Sequence, residues 1–223
     1  MTTVVKGDFI ELSYTGYTNG EVFDSNREVD LKKLDPKAKV EKTFIIVGEG
    51  MVVSGLDKVL EGKQVGEEHT LSLSAKEAFG LRNPSLIRPI PLRVFTDRRV
   101  VPRAGMSLVL DNNIVQIRAV SGARVIADFN NPLAGKDVSY SYRIVAKIDD
   151  VAEKTRIFFE KFLRGVPQFE VNDKVIIKGP AQMKPIIDLL GERFKTLVGK
   201  ELDFALVEPS KDSEKQEGIQ QSL

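Results

Sequence analysis

The sequence predicts an α+β protein in which an antiparallel β-unit is interrupted by a small all-β insert and followed by a separate α/β unit. Three observations predict it. Residues 8–15 and 138–148 alternate apolar and polar side chains with a period of two. Residues 84–129 are a run of short β-rich segments broken by Pro84, Pro89, Pro91, Pro102 and polar turns. Beyond Asp149 the rhythm changes to helix, strand, helix, strand. At 223 residues the chain exceeds the usual single-domain size. The expected division is 1–83 with 130–149, 84–129 as the insert, 150–208 as the C-terminal unit, and a polar, disordered tail at 209–223.

Taken in order, Phe9, Glu11, Leu12, Ser13 and Tyr14 make a half-buried first strand, and Asn19-Gly20 supplies a hairpin turn into a second strand at Val22 and Phe23. Residues 27–42 are charged, and Asp35-Pro36 ends any helix begun at 29–34, so this stretch is expected as a surface flap. Residues 43–47 form a third, apolar strand. Ser54 is the expected N-cap of a short helix over 54–61 with Leu56, Val59 and Leu60 on one face and Gly62 as its stop. Leu71 and Leu73, alternating with serines, mark another strand.

Within the insert, strands are predicted at 107–110, 114–120 and 124–129, joined by turns at Asp111-Asn112-Asn113 and Ser121-Gly122-Ala123. Asn131-Pro132-Leu133-Ala134-Gly135 closes it, and 138–148 is a long strand with Tyr140, Tyr142, Ile144 and Ala146 on one face. The last unit is read as helices at 151–163 and 184–194 and strands at 169–178 and 201–207. Its roughly 60 residues bury too little surface to be stable alone, so it is expected either to dock on a neighbour or to pair with a second copy.

Composition excludes several function classes. Lys+Arg of 33 against Asp+Glu of 32 leaves +1, so no global field draws the chain onto nucleic acid or anionic lipid. No apolar run reaches the roughly 20 residues of a membrane span, and the N-terminus lacks a signal-peptide pattern, so a cytoplasmic protein is expected. The absence of cysteine removes disulfides, thiolate catalysis and sulfur-ligated zinc. His69, the only histidine, is expected to be exposed after the turn at 65–68. No metal and no cofactor is expected. Gly48-Glu49-Gly50 followed by Gly55 gives the wrong spacing for a dinucleotide loop, and Leu56-Asp57 occupy the positions where a P-loop needs Lys and Ser/Thr.

Four separated pieces in a fixed order carry a resemblance: Leu12-Ser13-Tyr14-Thr15-Gly16, Val22-Phe23-Asp24-Ser25, the stretch from Val47-Gly48-Glu49-Gly50 through Met51-Val52-Val53-Ser54-Gly55-Leu56, and Ala75-Lys76-Glu77-Ala78-Phe79-Gly80. Together they resemble the FKBP-type peptidyl-prolyl isomerases, whose fold is a curved antiparallel sheet wrapped over a short helix. The insert sits where the SlyD branch carries its chaperone module, and Asp128-Phe129-Asn130-Asn131-Pro132-Leu133-Ala134-Gly135-Lys136-Asp137 is close to the SlyD pattern at its exit. The C-terminal unit and long flap look like the long archaeal members. The resemblance implies a cleft with Tyr14, Phe23, Asp24, Val53, Phe79 and Tyr140 as catalytic residues, and Ile45, Val52, Leu56 and Leu133 as substrate-binding ones. Leu56 stands where drug-binding members usually have tryptophan. Phe79 replaces their tyrosine, losing a hydrogen bond worth about 0.5 to 1.5 kcal/mol.

Rotation about the peptide C–N bond costs ~18 to 20 kcal/mol because the planar form is charge-separated, and water stabilises that form. An apolar cleft removes this stabilisation, while the Val53 N–H would hold a substrate carbonyl; neither step needs a nucleophile. Asp24 either polarises the substrate or anchors a neighbouring donor. The implied partners are unfolded or nascent polypeptides with X-Pro bonds, with no nucleic acid and no membrane, and a homodimer could form through the C-terminal unit. The competing expectation is a non-catalytic holdase with a degenerate pocket. Nickel handling, known in the SlyD branch, needs a histidine- and cysteine-rich tail, and 211–217 has neither residue.

Overall fold

The computed structural model describes residues 2–110 and 112–207; the tail expected to be disordered lies outside the described residues. Strands β1 (Phe9–Thr18) and β2 (Glu21–Ser25) form a hairpin whose two-residue connection puts Asn19 at φ +52° and Gly20 at +82°, the left-handed pair that a type I′ turn requires. Helix α1 (Glu28–Leu34), β3 (Thr43–Ile46), α2 (Ser54–Leu60) and β4 (Glu68–Leu73) follow. The insert contributes β5 (Ile87–Pro91), α3 (Arg93–Thr96), β6 (Ser107–Leu110), β7 (Asn113–Ser121) and β8 (Arg124–Asp128) before β9 (Val138–Lys147) returns to the first sheet. Then come α4 (Val151–Leu163), β10 (Gln168–Val171), β11 (Val175–Gly179), α5 (Lys184–Val198) and β12 (Leu202–Leu206). The fold class is α+β, as the sequence predicts.

The first sheet runs β2-β1-β9-β4 with β3 also on β1, all antiparallel. Alternation along β1 and β3 divides its side chains between two cores. Ile10, Leu12, Ile45 and Val47 face α2, where they pack with Leu56, Leu60, Leu73, Val138, Tyr140, Tyr142 and Ile144. Phe9 and Ile46 point the other way and are buried by Ile157, Phe158 and Phe159 of α4, with Val175, Ile177, Ile187 and Phe194. Residues 44–47 read as an unbroken apolar run because this strand is covered on both faces. The C-terminal unit therefore takes the docking alternative: its helices complete a core with the first sheet.

The insert is a four-stranded antiparallel sheet, β5-β8-β7-β6. Val115, Ile117, Val125 and Ala127 pack on Phe95 of α3. The prolines of β5 lie on an edge strand, where a missing N–H costs no ladder bond. In the last unit β11 pairs antiparallel with β10 and parallel with β12, the latter reached through α5.

Some expectations are corrected. Ser54 is the first residue of α2 rather than its cap; its hydroxyl donates to the Glu77 carbonyl at 2.9 Å because the loop after β4 competes for it. His69 is mostly covered, its ring lying 5.4 Å from that of Tyr142, since β4 pairs His69 directly opposite Tyr142 on β9. The single strand expected at 169–178 is a hairpin, β10 and β11, broken at Asn172-Asp173. The flap at 27–42 contains α1, ended at Asp35 as the Asp35-Pro36 pair requires. Helix α5 continues past Phe194 to Val198 and stops at Gly199, at φ +83°.

Candidate active site

The floor of the site is the loop 48–53 between β3 and α2. It is shaped by one carboxylate: Asp57, largely buried on α2, accepts hydrogen bonds from the N–H of Gly48 and of Gly50, both at 2.9 Å. Gly48 has φ +80°, the left-handed conformation that favours glycine; the nearest atoms to an added Cβ are those of the flexible, exposed Lys6 side chain, so it is the backbone that calls for glycine here. Beyond the turn, Val53 sits at φ −57°, ψ 143°, immediately before α2, and its N–H has no acceptor among the described residues. Leu56, from the first turn of α2, closes the bottom.

The walls are aromatic. Tyr14 on β1 and Tyr140 on β9 face the cleft with ring centroids 6.4 Å apart. Phe23 on β2 packs edge-on against Tyr140 at 5.9 Å and against Phe79 at 5.7 Å. This cluster fits because Gly16 lies beneath it: a Cβ at that position would come 2.6 Å from Phe23 Cζ and 3.0 Å from Tyr140 Cε1. Phe79 is carried by the loop after β4, which is fixed to α2 through Gly55 N–H donating to the Glu77 carbonyl at 2.9 Å. The same loop is held on its other side by Ala75 N–H donating to Asp137 Oδ1 at 2.9 Å.

The one ionisable acid at the rim is Asp24, whose Oδ2 accepts the Tyr14 hydroxyl at 2.9 Å. Burial, then the Asp24 charge and hydrogen bond, push the Tyr14 phenol well above the usual tyrosine value. Burial and Asp24 push Tyr140 up to about 12. Both phenols are neutral donors at physiological pH. Among the described residues the arrangement offers an apolar bed, a free amide N–H and hydroxyl dipoles, with no nucleophile paired to a base. It can strip water from a neutral group and orient it.

Tyr14, Asp24, Val52, Val53, Leu56, Phe79 and Tyr140 come together around a cleft of about 380 Å³. Phe23 stands behind the lining as the ring on which Phe79 and Tyr140 rest. Two residues expected here are elsewhere. Ile45 is a core residue, 2% exposed beneath the sheet, because β3 turns its alternate side chains into the two cores. Leu133 lies in the turn after the insert, its N–H donating to Asn131 Oδ1 at 2.8 Å, and is not part of the lining.

Gly50 and Met51 also line the cleft; they belong to the motif stretch 47–56 but were not among the expected site residues. Their signal was contiguity with Val52 and Val53. Met51 packs against both cores, its sulfur accepting the Ile46 N–H at 3.2 Å. The C-terminal unit also reaches this loop: Arg193 on α5 pairs with Glu49, and Lys161 Nζ donates to the Gly50 carbonyl at 3.4 Å.

Comparison with known proteins assigns this geometry to a class. The family described as FKBP-type peptidyl-prolyl cis-trans isomerase matches residues 1–92, and the module described as "FKBP26, IF domain" matches residues 88–133. A short-type peptidyl-prolyl cis-trans isomerase from Methanocaldococcus jannaschii is 31% identical over 144 residues, covering 63% of this chain and 92% of that protein. The chain belongs to the FKBP-type peptidyl-prolyl cis-trans isomerases and is an enzyme of that class. It is also similar to the SlyD isomerases of Vibrio cholerae and Escherichia coli, each 30% identical over 103 residues and 44% of this chain. Those matches span about half of each SlyD, 51% and 52%. Among the described residues no helix is long and apolar enough to cross a membrane.

Proposed function

We propose that the protein isomerises X-Pro bonds in unfolded or partly folded chains, nascent ones included, and that its insert holds those chains while the cleft works on them. The observation that carries the catalytic reading is the Val53 N–H, without an acceptor among the described residues, beside an apolar cleft walled by Tyr14, Phe79 and Tyr140. A prolyl ring seated on Leu56 and Val52 loses the water that favours the planar amide, and the preceding carbonyl accepts from Val53. In this reading Asp24 acts as an anchor for the Tyr14 hydroxyl, in accord with their 2.9 Å hydrogen bond. Lowering the barrier by about 5 kcal/mol speeds exchange several thousandfold, at roughly 1.4 kcal/mol per factor of ten. That shortens a step otherwise lasting ~10 to 100 s.

The holding reading rests on the insert's open sheet edge at β6 and on exposed Val109 and Ile114, 68% and 58% accessible. Removing residues 84–127 should lower activity on a refolding protein far more than on a tetrapeptide; equal losses on both would contradict it. Leu56 and Phe79, smaller or less polar than their usual counterparts, favour a second reading, a holdase with a silent cleft. Exchange spectroscopy on an Ala-Xaa-Pro-Phe peptide separates the two, because only the enzyme accelerates cis/trans exchange. The proposal includes a cytoplasmic site of action, the long archaeal type with its extra C-terminal domain, and the division into 1–83 with 130–149, 84–129 and 150–208. A homodimer through that last domain draws support from exposed Ile186, Leu189 and Leu206.

A further inference from the structure

Within residues 84–129 there are seven arginines and three aspartates, with no lysine and no glutamate, so this segment carries +4 while the rest of the chain carries −3. Twenty lysines are spread over the remaining sequence, and none falls here. Of the aspartates, Asp128 is 2% exposed and already engaged: it pairs with Arg82, lies 3.9 Å from Arg118 Nε, and accepts from the backbone and side-chain nitrogens of Asn130 at 3.0 and 2.8 Å. Arg93, Arg99, Arg103 and Arg124 are exposed and make no ion pair among the described residues. The positive charge of the insert is therefore directed at solvent.

That charge meets an apolar strip at one place. Val109 on β6 and Ile114 on β7 are register partners on the outer face of the sheet. At Ile114 a trough of about 300 Å³ is lined by Arg82, Arg118 and Lys136 together with Ser107, Gln116 and Asn130; its one acid is Asp128, already paired with Arg82. Arg103 stands just ahead of β6, its carbonyl accepting the Met106 N–H at 3.1 Å.

Among the described residues the β6 edge is open while the opposite edge is sealed. On β5, Pro89 and Pro91 lack N–H groups, and the N–H of Ile87, on the same side, is taken by the Pro84 carbonyl. Ile117 N–H donates to the Met106 carbonyl and its own carbonyl accepts from Gly105. By the two-residue alternation Val115 faces β6 as well, and this leaves the backbone groups of Ser107 and Val109 pointing outward.

Resting on the client-holding reading above, we propose that the insert selects extended polypeptide segments in which acidic residues alternate with aliphatic ones. The segment lies along β6, its aliphatic side chains on Val109 and Ile114 and its carboxylates on Arg103, Arg118 and the trough. Arginine suits this task because its planar fork grips a carboxylate in two places and is weakly hydrated beside apolar surface. Single-stranded nucleic acid is the other anion an arginine-rich module meets, but it needs exposed aromatic platforms for base stacking. The insert's two phenylalanines do not provide them: Phe95 is 1% exposed, and Phe129 is half-buried against the core with the Arg88 guanidinium already over its ring.

The test uses the full-length protein and three labelled probes followed by fluorescence anisotropy. Two are proline-free peptides of equal length and aliphatic content, one carrying glutamates and the other lysines at the same positions; the third is a single-stranded oligonucleotide. A few arginine–carboxylate pairs, each worth a small factor, should favour the acidic peptide by about tenfold at low salt. The preference should vanish near 1 M salt, where the screening length is about 3 Å. R103E/R118E should reverse it, and R103K/R118K should retain part of it because the charge remains. Equal binding of both peptides overturns the charge selection alone and leaves chain holding intact. Binding of neither overturns the holding reading as well, and tighter binding of the oligonucleotide overturns the choice of partner.

Discussion

At the scale of single residues, the account rests on one amide and the rings around it. Val53 at φ −57° can be replaced by proline without backbone strain, since proline fixes φ near −65°. Val53→Pro should therefore leave the fold intact and remove one hydrogen bond to substrate, lowering kcat/KM about fivefold to twelvefold for a net bond of about 1 to 1.5 kcal/mol. An unchanged kcat/KM in a folded variant would exclude this amide from the chemistry. Gly16→Ala should push Phe23 and Tyr140 into the cleft, as the 2.6 Å approach of an added Cβ requires. Peptide binding should fall while the far-ultraviolet spectrum is preserved; a variant that binds normally would show that the wall has room to give.

Most of these residues were legible in the sequence because the motif order fixed them: Tyr14, Asp24, Val52, Val53, Leu56, Phe79 and Tyr140 all face one cleft. Ile45 was not placed correctly, because an unbroken apolar run does not reveal which alternate residues point to which side, and here both sides are buried. Leu133 failed for a different reason. Proximity in sequence to the insert's exit carries no information on which way the following turn faces.

At the scale of elements, α2 and the loop before it act as one piece through Asp57. Asp57→Asn replaces one accepting oxygen by a donor facing a backbone N–H, which should cost about 1 to 3 kcal/mol of stability. It should also lower activity, since Gly50 and Val53 share the loop. Thermal unfolding followed alongside peptide isomerisation checks this; a stable variant with normal activity would show that the loop holds its shape without the carboxylate. The expected Ser54 cap shows what sequence cannot supply here. A serine before an apolar helical face is a sound cap signal, yet the Glu77 carbonyl, brought in by a loop 23 residues away, takes its hydroxyl instead. The break of 169–178 into a hairpin was hidden for a similar reason, because Asn172-Asp173 reads as a turn only once both flanking strands are known to pair.

At the scale of the whole molecule, the C-terminal unit and the cleft are mechanically joined. Arg193 pairs with Glu49 and Lys161 reaches the Gly50 carbonyl, so the loop under the cleft is braced from behind. Arg193→Ala should raise KM for a tetrapeptide by a few-fold with kcat less affected; a change in stability with both kinetic constants unaltered would reduce the brace to packing. Docking also makes the dimer question separable from folding. Leu189→Glu on the exposed face of α5 should leave the monomer folded, and light scattering then decides: a mass halved relative to the parent supports the homodimer, and a parent already monomeric removes it.

Alkali provides a further check, because the two phenols of the cleft titrate late. A phenol raised in the folded state contributes stability that is complete below its unfolded value of about 10 and lost as pH climbs through the folded value. Stability should thus fall from pH 10 upward, through about 12 for Tyr140 and beyond that for Tyr14. Tyr140→Phe should flatten the first part of that fall, and an identical profile for the variant would contradict the assignment.

The most direct measurement is magnetisation-exchange NMR of an Ala-Xaa-Pro-Phe peptide with catalytic amounts of the intact protein, its Val53→Pro form and its Tyr140→Ala form. The account predicts exchange accelerated by orders of magnitude over the uncatalysed ~10 to 100 s step, weakened in the first variant and nearly abolished in the second. A folded parent protein that leaves the exchange rate at its uncatalysed value would contradict it.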